Sequence, residues 1–269
     1  EIMATRQGNL IFGVVVILLA AMRLSLAQNA PAMPIDVYDG FETPELSGVW
    51  IHDRFEPGAM EIETNLFRTG HGALKATVRP HDKFEPGGTG TSPSERAELM
   101  EAPKLTSKEN VPYEYSFSMF FPTNFPIEST RLVIAQWKQY CANGGNCSED
   151  SPVLALRYVS GELKITQNID SPHEKILWQQ KDEFRGRWLD FKFHVRFSTD
   201  ETGHVNAWLN AKQVLDYKGI TADTESPATG YPSPSRFFFK MGLYRNSVAT
   251  PWISYIDEYR KKQLPPDDL

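Results

Sequence analysis

Between Leu189 and Phe197 a large apolar side chain falls at every second position, with Asp190, Lys192, His194 and Arg196 in between. A helix, with its period of 3.6, cannot gather such a set on one face, whereas a strand does so at once. The same alternation runs through Tyr113-Glu-Tyr-Ser-Phe-Ser-Met-Phe-Phe121 and Arg236-Phe-Phe-Phe-Lys-Met-Gly-Leu-Tyr-Arg245. Ser198-Thr-Asp-Glu-Thr-Gly203 is a turn leading into His204-Val-Asn-Ala-Trp-Leu-Asn210, so 188–210 reads as a long hairpin. No comparably long stretch has helical periodicity. Many strands separated by Gly, Pro, Asn and Asp clusters predict an all-β domain, a two-sheet antiparallel sandwich or jelly roll. One sheet of such a fold often curves into a concave groove for an extended ligand.

Ahead of that domain, Arg6 precedes an apolar run from Leu10 to Met22, and Ser25-Leu26-Ala27 supplies small residues for cleavage. Residues 1–27 therefore read as a secretory signal peptide, and the location as secreted or periplasmic. The run is shorter than the roughly 20 residues that span a bilayer, so an uncleaved anchor is the lesser reading and no membrane contact is expected after cleavage. The domain is placed at 36–262, with 263–269 a loose polar tail, and is expected to act as a monomer. Removing 1–27 leaves 26 basic against 33 acidic residues, a balance that offers nothing to nucleic acid. A net acidic chain still binds a polyanion where its cations converge in one groove, because the local field governs the encounter. Cys141 and Cys147 enclose a turn-rich Ala-Asn-Gly-Gly-Asn segment and, in an exported chain, are expected to close a small loop as a disulfide. A metal site there is the weaker alternative, since no His or Cys cluster adjoins the pair.

Alternation also sorts the chemistry onto faces. In 236–245, Phe238, Lys240, Gly242 and Tyr244 share one face, and Phe237, Phe239, Met241 and Leu243 the other. At roughly 3.3 Å per residue Lys240 and Tyr244 stand about 13 Å apart, with Gly242 leaving a sugar-sized gap between them. In Ser94-Glu-Arg-Ala-Glu-Leu99, Arg96 and Glu98 stand together while Ala97 and Leu99 face the core. In Leu132-Val-Ile-Ala-Gln-Trp-Lys-Gln-Tyr140, Gln136, Lys138 and Tyr140 share a face. Each has a plain structural explanation when taken singly. Arg96 and Glu98 could be a surface ion pair, Gln136 and Lys138 a solvated strand face, and Tyr244 a rim aromatic with a wet hydroxyl. Trp137, Trp188, Phe191 and Phe193 read as core. The joint occurrence of the polar sets argues for one site.

In that order, Ser-Glu-Arg-Ala-Glu-Leu, Ala-Gln-Trp-Lys and Phe-Lys-Met-Gly-Leu-Tyr-Arg resemble the jelly-roll polysaccharide lyases of the heparin lyase I and glucuronan lyase group. Alginate lyases of similar fold carry related Arg-x-Glu-Leu, Gln-x-His and Lys-x-Gly-x-Tyr motifs. Gly40-Phe-Glu42, Arg68-Thr-Gly-His-Gly-Ala-Leu-Lys75 and Trp208-Leu-Asn210 extend the likeness over most of the domain. The resemblance implies a concanavalin-like jelly roll that cuts a uronate-containing polysaccharide by β-elimination, with no cofactor required for the chemistry. Arg96 and Gln136 match the positions that neutralise the substrate carboxylate and stabilise the enolate-like intermediate. Tyr244 matches the catalytic tyrosine, with Lys240 or Arg96 placed to favour its phenolate. Glu98, Lys138, Tyr140, Arg245, His81 and His52 are expected to bind substrate.

The chain departs from the alginate lyase pattern where Gln-x-His becomes Gln136-Trp137-Lys138. That leaves the general base open among Tyr244 itself, Lys138 with a lowered pKa, and His52 or His81. A structural Ca2+ held by Asp39, Glu42 and Asp257, where the two chain ends would pair, is a further expectation. A non-catalytic carbohydrate-binding module or lectin of the same fold is the alternative reading. A laminarinase-like hydrolase would need a Glu-x-Asp-x-x-Glu strand that the sequence lacks. Loops 81–95 and 217–235 carry too few Arg and Lys for a sulfated chain, so an unsulfated polymer such as glucuronan or alginate is the expected substrate.

Overall fold

The alternating segments become strands where their periodicity places them. The computed structural model describes residues 34–51, 55–83, 94–141, 151–171, 173–226 and 228–266. In chain order the strands are β1 (Asp36–Asp39), β2 (Trp50–Ile51), β3 (Met60–Glu63), β4 (Ala73–Val78), β5 (Ser94–Glu101), β6 (Ser107–Lys108), β7 (Pro112–Phe120) and β8 (Leu132–Gln139). They continue with β9 (Leu154–Val159), β10 (Glu162–Gln167), β11 (Lys175–Lys181), β12 (Trp188–Arg196), β13 (His204–Leu209), β14 (Lys212–Lys218), β15 (Arg236–Asn246) and β16 (Trp252–Gln263). The expected hairpin is β12–β13, paired antiparallel from Phe191↔Leu209 to Arg196↔His204.

Two antiparallel sheets result, each of eight strands among the described residues. The first runs β14-β13-β12-β7-β16-β4-β3, with β1 also on β16; the second runs β11-β10-β9-β8-β15-β5-β2, with β6 also on β15. Their inward faces interdigitate as the alternation requires, so this is the two-layer jelly-roll sandwich expected from sequence. At its centre Trp137 from the second sheet packs against Phe193 of the first at 4.8 Å and Phe239 of its own sheet at 4.9 Å. Each fully buried Phe or Leu of this kind contributes about 1.5–3 kcal/mol. The core also encloses ionic groups: Lys261 on β16 reaches across to Glu101 on β5 at 2.9 Å, and neither has any exposed side-chain surface.

Two expectations change. Trp188 is only half-buried and rests on Phe120 at 5.6 Å on the outer face, because Leu189 takes the inward position next to it. The loose tail also starts later than expected. Gln263 is the last residue of β16, its N–H donates to Ile35 O at 2.7 Å, and the Leu264 N–H donates to Pro112 O at 2.9 Å. The compact unit begins at Ile35; residues 1–27 lie outside the described residues.

Candidate active site

Three neighbouring strands of the second sheet, β5, β15 and β8, bring the predicted residues together. The β15–β5 register sets Tyr244 opposite Arg96 and Gly242 opposite Glu98. On the other side, β8 sets Gln136 opposite Lys240 and Lys138 opposite Phe238. Motifs some hundred residues apart in sequence are thus adjacent on one open sheet face. A register shift between Met241 and Tyr244 marks a bulge in β15, the usual device for re-aiming a side chain. Gly242 sits within it at φ +137, and a Cβ there would lie 2.2 Å from the Ala97 carbonyl oxygen, so the position requires glycine.

The gap at Gly242 is not bare. Glu98 and Gln136, both 3% exposed, meet across β15 with the Gln136 amide donating to Glu98 Oε1 at 2.5 Å. Glu98 Oε2 has no hydrogen-bond partner among the described residues. Glu98 therefore orients Gln136, whose amide has a second N–H beyond the one it donates to Glu98.

Tyr244 is held between two guanidinium groups. Arg96 Cζ lies 4.5 Å and Arg131 Cζ 4.3 Å from the centroid of its ring. Burial opposes ionisation of the phenol. Hydrogen bonds from Ser94 and Arg131, with the charges of Arg131 and Arg96, outweigh that and hold it below the ordinary phenol value. Lys240, four residues away, extends along Phe238, with its Nζ 5.7 Å from that ring.

Further along this face a cavity of about 600 Å³ is lined by Lys138, Tyr140, Arg236, Phe238 and Met100 among others. Lys138 and the 48%-exposed Tyr140 border it. His81 is exposed in a left-handed conformation (φ 72). Its neighbour Asp82 accepts a hydrogen bond from the Arg96 N–H at 2.8 Å. His81 is therefore about two strand spacings, roughly 10 Å, from β15 and belongs to the rim. His52 and Cys147 lie outside the described residues, so neither the His52 expectation nor the Cys141–Cys147 pairing is addressed.

Arg245 is a correction. It faces the core with no exposed side chain and pairs with Glu95 at 2.9 Å, because alternation turns it away from the face that Tyr244 occupies. The calcium expectation fails on donor chemistry. β1 does pair with β16, but Asp39 accepts hydrogen bonds from Phe41 N–H (2.9 Å), Ser47 Oγ (2.7 Å) and Trp50 Nε1 (2.7 Å). Asp257 accepts three backbone N–H groups, from Arg68, Thr69 and Glu258, and Glu42 accepts that of His71. Oxygens aimed at N–H and O–H donors do not form a cation cage, and no group of three candidate ligands occurs among the described residues.

Sequence reasoning passed over Arg131, Ser94, Asn246 and Arg157. Ser94 was within reach, since alternation puts it with Arg96 and Glu98. Arg131 lies just before β8 and carries no local signal.

The family model described as polysaccharide lyase matches residues 38–260. Among curated proteins none matches the sequence. Among solved structures, the endo-β-1,4-glucuronan lyase of the fungus Trichoderma reesei superposes with a TM-score of 0.62 at 17% identity, over 87% of this chain and 99% of that one. The alginate lyase from Corynebacterium sp. gives a TM-score of 0.52 at 16% identity, over 78% and 82%. The cellulose induced protein Cip1 gives 0.53 at 13%, over 84% and 96%. At these identities the likeness establishes the sandwich fold.

Proposed function

The chain belongs to the polysaccharide lyase family, and on that footing we propose that it cleaves an unsulfated polyuronate, of the glucuronan or alginate kind, by β-elimination on the open face of its second sheet. The observation that carries this reading is the stacking of Arg96 on Tyr244, on the same sheet face as the Gln136–Glu98 pair. Elimination removes the proton at C5, next to a carboxylate whose negative charge opposes the loss. Arg96 and Gln136 are the groups for that carboxylate, spreading the charge that builds as the proton leaves.

Tyr244 as phenolate takes the C5 proton, and the freed electron pair becomes the C4=C5 double bond. The C4–O4 bond breaks, and the phenol returns its proton to the departing O4, which restores the phenolate. One group serves as base and then as acid, so the chemistry closes without a histidine at position 138. Lys240 and Lys138 supply positive charge along the face for neighbouring uronates. A monomer suffices, because every group named comes from one chain, and an apolar run at Leu10–Met22 supports a secreted or periplasmic location.

The test is to mix the protein with glucuronan, alginate and heparin in turn and follow the ultraviolet absorbance of the unsaturated product. A rise on an unsulfated polymer, reduced about 10²–10⁴-fold by Tyr244→Phe, is expected. Binding without any such rise would instead support the carbohydrate-binding module.

A further inference from the structure

Arg96 and Arg131 approach the same phenol at nearly the same distance, 4.5 and 4.3 Å, yet the two guanidinium groups are built in differently. Arg131 is anchored on both sides. Its Nε donates to Asn246 Oδ1 at 3.0 Å and its Nη2 to Ser94 Oγ at 2.7 Å, while its own carbonyl accepts the Asn246 N–H at 3.2 Å. Asn246 and Ser94 are themselves register partners at the ends of β15 and β5. Arg131 therefore ties the start of β8 to the end of neighbouring β15 and, one strand further, to the end of β5, with its plane fixed beside the Tyr244 ring. Arg96 has no side-chain hydrogen bond or ion pair to the described residues beyond its contact with that ring.

This asymmetry divides the labour. A substrate carboxylate will be taken up by the less restrained guanidinium, and Arg96 then shares its charge with the substrate instead of giving it all to the phenol. The anchored one cannot turn away. We propose that Arg131 is the positioning residue that favours the phenolate form of Tyr244 when substrate binds, while Arg96 serves the substrate carboxylate.

The other charged groups facing Tyr244 do not take this role. Arg157 on β9 is ion-paired with Glu174 and donates to Thr166 Oγ1, so its charge is largely countered. Lys240 stands four residues along β15, and Glu98 on β5 is opposite Gly242, not Tyr244. The direction in which the Tyr244 phenol is displaced agrees with the assignment.

The inference rests on Tyr244 being the proton-transfer group, but its test does not require turnover. The absorbance of ionised tyrosine is followed against pH in the substrate-free protein, and subtracting the Tyr244→Phe curve isolates Tyr244. In Arg131→Met the ionisation is expected to move up by about one pH unit or more, and in Arg131→Lys by less. On an active substrate the acid limb of kcat/KM should move the same way with KM little changed, whereas Arg96→Met raises KM. An unchanged Tyr244 ionisation in Arg131→Met would overturn the assignment, as would a raised KM with an unmoved pH profile. Should Arg131→Met fail to fold, Arg131→Lys decides by the same two readings. If no polyuronate is cleaved, the titration still stands or falls by itself.

Discussion

Tyr259 and Tyr244 both lie against charged side chains, one in the core between the sheets and the other on the open face. Tyr259 donates its hydroxyl proton to Glu101, which also accepts from Lys261, and Lys261 donates in turn to the Leu105 carbonyl. Tyr115, hydrogen-bonded to Ser107, completes the cluster at 2.5 Å. Burial first, and the Glu101 carboxylate second, push both phenols far above their ordinary range, so neither ionises. Tyr244 is also partly buried, but its neighbours are arginines and a serine, and its phenol moves the other way. Burial alone always disfavours the phenolate; the sign of the surrounding charge decides whether a tyrosine becomes a fixed strut or a proton carrier.

If the core cluster is structural, breaking it should cost stability and leave the chemistry alone. Lys261→Met strands the Glu101 carboxylate in the core and is expected to destabilise the fold by about 3–5 kcal/mol in urea unfolding. Adding Glu101→Gln should recover a large part of that loss, because a neutral pair removes the buried charge. A cost near zero for Lys261→Met would erase the contrast between the two clusters.

Gly242→Ala sharpens it from the other side. It forces an L-residue into φ +137 against the Ala97 carbonyl, for about 1–3 kcal/mol of strain, and it displaces the Glu98–Gln136 bridge. Turnover should fall by more than the stability loss explains, as read from initial rates well below the unfolding midpoint. Smaller again is Glu98→Gln, which replaces a charge-assisted hydrogen bond to Gln136 with a neutral one. It is expected to lower kcat about tenfold, equivalent to about 1.4 kcal/mol, with little change in unfolding. The pH profile supplies the sign. If Tyr244 works as phenolate, as proposed, its downward displacement means that kcat/KM should rise with pH along a limb below the ordinary phenol value of about 10, and that limb should be absent from any residual Tyr244→Phe activity.

The strands and their faces were legible because alternation is a local property: β7, β12 and β15 follow it residue by residue. The pairing of Arg96 with Tyr244 was legible as a set of motifs, and the register then made it a contact. Arg245 shows the hazard of reading a motif as a unit, for its adjacency to Tyr244 in sequence puts it on the opposite face. Arg131 was not legible, since it reaches the site through the meeting of chain segments 37 and 115 residues away. The Asp39 carboxylate looked like a cation ligand because sequence does not disclose that Ser47 and Trp50 fold back to donate to it.

The most direct measurement removes one hydroxyl oxygen at each place. Tyr244→Phe and Tyr259→Phe are compared with the wild type for unsaturated-product formation on glucuronan or alginate and for urea unfolding. The account predicts a crossed result. Tyr244→Phe keeps its stability and loses turnover about 10²–10⁴-fold, while Tyr259→Phe loses about 1–3 kcal/mol of stability and keeps its turnover when folded. Retained turnover in Tyr244→Phe, or lost turnover in a stably folded Tyr259→Phe, would contradict it.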